Sequence, residues 1–195
     1  ICVLGKHGVG VDNIDIPYCK AHGIQVVNTP QANSLSVAEH AIALMLACLK
    51  QIPYKAKQYA QEDYGIKDRC LGLELSGKTL GLIGLGHIGR LVAKIASQGF
   101  SMRIFAYDPY LPEGMSEHNV MISHNQELVY QNADVISIHI PATEKTIHSI
   151  GERQFKLMKK SAILINTSRG AVIVESELIR ALELGEIAGA GLDVS

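Results

Sequence analysis

The sequence predicts an α/β fold, a doubly wound parallel sheet with helices on both faces, and three observations carry the prediction. From Lys78 onward, short runs of Val, Ile and Leu alternate with stretches of helical periodicity, the pattern of strands buried on both faces and joined by crossover helices. A glycine-rich segment, Gly84 to Gly89, stands where the first of these strands meets the first helix. The chain of 195 residues is 47% hydrophobic and 19% charged, which suits a packed core that needs neither metals nor disulfides.

The same figures exclude whole classes of function. A formal net charge of −1 rules out a broad electrostatic grip on nucleic acid or on an anionic membrane. The apolar fraction rules out intrinsic disorder. The four cysteines, Cys2, Cys19, Cys48 and Cys70, include no C-x-x-C pair and are expected to be reduced thiols of a cytoplasmic protein. No metal site is expected. The longest apolar candidate, 41–49, is too short to span a bilayer.

In chain order, an apolar run (Ile1 to Leu4) leads into a glycine-rich turn from Gly5 to Gly10. Asp15 to His22 reads as a short helix closed by Gly23, and Ile24 to Val27 as a buried strand ended by Asn28-Thr29-Pro30. Ser36, with Glu39 three residues on, predicts a capping box. It opens a helix whose stripe is Ala38, Ala41, Ile42, Met45, Leu46 and Leu49. Residues 50–76, with Pro53, Gly65 and Gly72, are expected to continue the helix and then cross the surface. Strands are predicted at 79–84, 103–107, 135–140, 162–166 and 188–194, with a weak one at 120–122. Helices are predicted at 87–98, 125–132, 152–158 and 175–184.

The segment Gly84-x-Gly86-x-x-Gly89 follows an apolar strand and opens a helix. An acidic residue, Asp108, ends the next strand, 108 − 86 = 22 residues beyond the second glycine. Each part has a physical task in dinucleotide binding. Gly84 permits a tight turn, Gly86 lets the backbone approach a pyrophosphate, and Gly89 lets the helix lie close to the strand. The helix N-terminus at His87 and Ile88 offers amides and partial positive charge to that anion. Asp108 can accept hydrogen bonds from the adenosine ribose and would repel a 2′-phosphate, which favours NAD over NADP. A purely structural turn, or an S-adenosylmethionine site, is the alternative.

Four stretches together carry a family resemblance: Gly8-Val9-Gly10-Val11-Asp12-Asn13-Ile14-Asp15; Asn28-Thr29-Pro30 with Asn33 and Ser36-Val37-Ala38-Glu39; the glycine turn with Asp108-Pro109; and Ile165-Asn166-Thr167-Ser168-Arg169-Gly170 leading to Gly191-Leu192-Asp193-Val194. The chain resembles the D-isomer-specific 2-hydroxyacid dehydrogenases along nearly its whole length, most closely their D-3-phosphoglycerate dehydrogenase branch. The resemblance implies conversion of a small 2-hydroxy acid and NAD to a 2-keto acid and NADH, with 3-phosphoglycerate as the best substrate guess, in serine biosynthesis.

It also implies roles. Arg169 matches the catalytic arginine, a guanidinium suited to fork onto a carboxylate and to polarise a carbonyl. Gly8, Val9 and Gly10 match a backbone loop that cradles the substrate carboxylate, and Lys6 is a candidate for a substrate phosphate. Pro141 matches the wall beside the adenosine, Thr167 and Ser168 the lining of the nicotinamide, and Asp193 the acceptor of its carboxamide. Val174 stands where the family has an Asp, at a helix start. The family's catalytic Glu and His follow the Asp-Val pair, and none of the eight histidines matches that position. His139 reads as a pocket-wall residue. Turnover is therefore expected to need residues beyond Ser195.

The resemblance divides the chain into 1–33, the end of a flavodoxin-like substrate domain, and 34–195, a Rossmann NAD-binding domain incomplete at its C-terminal end. A two-domain dehydrogenase needs roughly 300 residues at ~150 per domain. The resemblance further implies a homodimer through the NAD-binding domain, with the helix from Ser36 as the candidate contact, although its stripe equally suits a core. A corepressor-like protein that senses NAD(H) is the alternative function within the same family.

Overall fold

Two parallel sheets are present in the computed structural model, which describes every residue except 9, 12, 30, 116–118 and 195. Strands β1 (Val3–Lys6) and β2 (Gln25–Asn28) form the smaller one. Helix α1 (Ile16–Ala21) joins them. Asp15 caps it, its Oδ1 accepting the Tyr18 amide at 2.9 Å, and Gly23, at φ +64°, turns the chain out of it.

Helix α2 (Ser34–Leu49) corrects the expected capping box. It begins two residues before Ser36, with Asn33 at the cap position and no side-chain cap bond. The turn before it winds the chain into the helix instead, through Ala32 N–H to Thr29 O and Ser34 N–H to Gln31 O. Its apolar stripe lies inside the fold: Ala38, Ala41, Ile42, Met45 and Leu49 are buried where α2 meets the main sheet. At Gln51 the backbone takes φ +54°, and α3 (Ile52–Ala60) departs at 59°. A short α4 (Ile66–Arg69) completes the crossing. Among the described residues no single helix is long and apolar enough to cross a membrane.

The rest alternates as expected: β3 (Thr79–Ile83), α5 (His87–Phe100), β4 (Arg103–Tyr107), β5 (Gly114–Met115), β6 (Val120–Ser123), α6 (Gln126–Asn132), β7 (Val135–Ile138), α7 (Glu152–Leu157), β8 (Ile163–Asn166), α8 (Glu175–Glu183) and β9 (Gly189–Leu192). The strands pair in the order β5-β6-β4-β3-β7-β8-β9. All neighbours are parallel except β5, a two-residue antiparallel edge that the sequence did not announce. Without β5 this is the doubly wound Rossmann order, which reverses direction between β3 and β7.

Residues on the central strands alternate between two cores. Leu80, Leu82, Val135, Ile163 and Ile165 face α2 and α5. Ile83, Ile136, Ile138 and Leu164 face α6, α7 and α8. β3, β7 and β9 end at Ile83, Ile138 and Leu192, before the predicted ends at 84, 140 and 194. Val174 caps α8 without a side-chain bond. Glu177 on α8 instead serves α7, its Oε2 accepting the Glu152 amide at 2.6 Å. Cys19 and Cys70 are buried and Cys2 is exposed. Burial pushes the Cys48 thiol up.

Asp134 ties the far edge of the sheet. Its Oδ2 accepts the Thr79 amide at 2.8 Å and its Oδ1 the Lys159 ammonium at 2.8 Å. Burial alone would raise this carboxyl, but the Lys159 and Thr79 contacts outweigh it and hold the group below the usual carboxylate range. A lowered folded-state pKa contributes stability above the unfolded value and loses it as pH falls through the folded value. Asp134→Asn should therefore cost about 1–2 kcal/mol at neutral pH. Urea unfolding as a function of pH should show the difference shrinking below about pH 4.

Candidate active site

The glycine turn lies at the point where the strand order reverses, the usual ligand site of an open α/β sheet. Its three glycines meet three different surroundings. Gly84 has φ +97°, and a Cβ there would stand 2.7 Å from the His139 carbonyl oxygen. A Cβ on Gly89 would stand 2.4 Å from the Gly84 carbonyl oxygen, so α5 can approach β3 only without one. A Cβ on Gly86 would meet nothing within 4 Å. This opening sits where the first turn of α5 presents its backbone amides, and a side chain would fill the space an anion needs. His87 is exposed, with Nε2 3.4 Å from the Gln31 amide nitrogen.

Asp108 follows β4 and faces this turn. Its Oδ2 accepts the Leu85 amide at 3.0 Å and its Oδ1 the Tyr110 amide at 3.0 Å. Two backbone donors orient the carboxylate and leave further lone pairs on both oxygens for ligand hydroxyls. A 2′-phosphate near Asp108 would meet a fixed negative charge, worth ~1–4 kcal/mol at close range. Asp108→Ala should lower the preference for NADH over NADPH about tenfold or more, read from the two dissociation constants. An unchanged ratio would remove Asp108 from the site.

A cleft of about 470 Å³ opens beside the turn, a size suited to part of a cofactor with a small substrate. Of the residues expected from the sequence, Gly10, Ile88, Pro141, Thr167, Ser168, Arg169 and Asp193 all line it. Asn33 and Val37, quoted above only as carriers of the resemblance and given no site role, line it from the start of α2, and His40, which had no expected role, stands one turn further on. His40 Nε2 stands 3.3 Å from Asp193 Oδ1.

Lys6 and Gly8 are not on the cleft wall. Lys6 pairs with Asn28 in the small sheet. The Gly8 amide donates to the Thr29 hydroxyl at 2.9 Å, which occupies a donor of the expected carboxylate cradle. Val9 lies outside the described residues.

The loop after β8 brings polar groups to the cleft wall. The Thr167 hydroxyl is buried and has no hydrogen-bond partner, an unmet polar group on a cleft wall. Arg169 Nη1 donates to the Ser168 carbonyl at 2.7 Å, which holds the guanidinium against its own loop. His139 shares a 2.9 Å hydrogen bond with the buried Ser137 hydroxyl, and burial pushes its imidazole down to about 4. It lines the cleft wall. The open glycine turn, the oriented Asp108 and the orphaned Thr167 hydroxyl fit a dinucleotide lying from Asp108 to the β8 loop.

Comparison with known proteins agrees with this geometry. Residues 42–195 match the model of the D-isomer specific 2-hydroxyacid dehydrogenase, NAD binding domain. The D-3-phosphoglycerate dehydrogenase of Methanocaldococcus jannaschii is 46% identical over 98% of this chain and 36% of its own length. The hydroxypyruvate reductase of Thermotoga maritima is 42% identical over 98% of this chain and 61% of its own. Among solved structures, Aquifex aeolicus D-lactate dehydrogenase complexed with NAD and lactic acid superposes with a TM-score of 0.90 at 36% identity, over 100% of this chain and 58% of that one. The chain thus spans about a third to three fifths of these relatives' lengths. With the strand order, the glycine turn and the matching residues all in agreement, the chain belongs to the D-isomer specific 2-hydroxyacid dehydrogenases, and residues 42–195 correspond to their NAD binding domain.

Proposed function

We propose that the protein oxidises a D-2-hydroxy acid to its 2-keto acid with NAD as hydride acceptor. The observation that carries this reading is the position of Arg169, in one cleft with Thr167, Ser168 and Asp193 and beside the glycine turn. In this reading, residues 84–89 and Asp108 hold the pyrophosphate and ribose of the dinucleotide. Thr167, Ser168 and Asp193 hold its nicotinamide end, with His40 steadying the Asp193 carboxylate. NAD, when bound, would supply the hydride acceptor, and the substrate's hydroxyl proton would pass to the His that the family resemblance implies. Arg169 binds the carboxylate or carbonyl of the substrate, orienting its 2-carbon. Gly10 lines the same cleft and would stand beside the substrate.

The proposed substrate is 3-phosphoglycerate, giving 3-phosphohydroxypyruvate and a place in serine biosynthesis. The 46% identity to the Methanocaldococcus jannaschii enzyme supports it, while relatives named for hydroxypyruvate and lactate make a panel of acids the proper test. Residues 1–33 are assigned to a substrate domain and 34–195 to the NAD-binding domain of a cytoplasmic homodimer. The stripe of α2 is core, so the dimer contact is assigned to the arm of α3 and α4, where Ile52, Tyr54, Tyr64 and Leu71 are exposed. Mixing the full-length protein with NAD and each acid, and following NADH absorbance, tests the function. Turnover fastest with 3-phosphoglycerate is expected. Tight NADH binding without turnover of any 2-hydroxy acid would overturn it in favour of an NAD(H) sensor.

A further inference from the structure

Asn166 ends β8 and is wholly buried, yet its side chain makes three hydrogen bonds, all to the loop that carries Arg169. Its Oδ1 accepts the Ser168 amide at 2.9 Å and the Ser168 hydroxyl at 2.8 Å. Its Nδ2 donates to the Arg169 carbonyl oxygen at 2.9 Å. Its backbone is fixed in the ladder: the Asn166 carbonyl accepts the Asp193 amide at 3.0 Å, and β8 lies between β7 and β9. A rigid strand end thus grips the backbone on both sides of the Ser168–Arg169 peptide. That peptide's carbonyl in turn receives Arg169 Nη1.

The geometry points to Asn166 as a positioning residue for Arg169: through the Ser168–Arg169 backbone it sets where the guanidinium stands in the cleft. This rests on the proposed dehydrogenase function. Only an amide fits the position. The site needs two acceptances and one donation within one side-chain length, and a carboxylate cannot donate to the Arg169 carbonyl. A displacement of about 1 Å in a substrate-positioning group can lower turnover about a hundredfold.

The test is a double-mutant cycle on the full-length enzyme with Asn166→Ala, Asn166→Asp and Arg169→Ala. Asn166→Asp preserves shape and both acceptors, so it keeps the test informative should the alanine variant fold poorly. With Arg169 present, each Asn166 variant should lower kcat/KM for the hydroxy acid about 10- to 100-fold. In the Arg169→Ala background the same change should cost less than about threefold. Equal losses in both backgrounds, or a loss confined to NADH binding, would overturn the assignment while leaving the dehydrogenase reading intact. A wild-type enzyme that turns over no 2-hydroxy acid would overturn both.

Discussion

Arg169→Lys should lower kcat/KM of the full-length protein for its 2-hydroxy acid about 100- to 1,000-fold, with NADH binding little changed. The magnitude is that of removing one preorganised donor aimed at reacting oxygen atoms. Lysine keeps the charge but loses the planar fork, and a single ammonium cannot make the paired bonds a carboxylate accepts. Arg169 Nη1 serves the Ser168 carbonyl, and a lysine has only one nitrogen with which both to replace that contact and to grip a ligand. Steady-state kinetics with NADH titrations check this. Unaltered turnover would remove Arg169 from the reaction.

Gly89→Ala should abolish measurable dinucleotide binding. A Cβ 2.4 Å from the Gly84 carbonyl oxygen meets backbone, not a flexible side chain. Either α5 moves off β3 or the Gly84 turn opens, and both displace the amides at Gly86 to Ile88. The clash also strains a core to which α5 contributes its buried Val92, Ala93 and Ala96, so thermal unfolding should begin several degrees lower, as overpacking of ~1–3 kcal/mol implies. Gly86→Ala is the contrast. Its Cβ enters open space, so stability should hold while NADH affinity falls, which separates the close approach of the helix from the approach of the ligand. Calorimetric titration and thermal melts on the two variants distinguish them.

The centre of the sheet was legible because β3, β7 and β8 are buried at every position and are dominated by Val, Ile and Leu. The glycine turn was legible because each glycine answers a separate steric demand. Other features were not. β5 is only Gly114 and Met115, too short for any period to register. The start of α2 was misplaced because the Ser36–Glu39 pattern is a local signal, while the turn through residues 31–33 decides the geometry. His40 and Asp193 are 193 − 40 = 153 residues apart, and only the packing of α2 beside β9 brings them together. The roles of Asn33 and Val37 on the cleft wall, and the grip of Asn166 on its loop, depend likewise on tertiary position. Asn33, Val37 and Asn166 stand in stretches that carry the resemblance, but an Asn after a strand or a Val in a helix's first turn has many uses, so none of them read as a site residue.

The turn at 84–89, together with Asp108, is expected to hold NAD(H) and reject NADP(H). Calorimetric titration of this chain with NADH and with NADPH measures it directly. One NADH site per chain is predicted, with NADPH bound at least about tenfold more weakly, the effect of a fixed charge against the 2′-phosphate. Equal affinity for the two, or no binding of either, would contradict it.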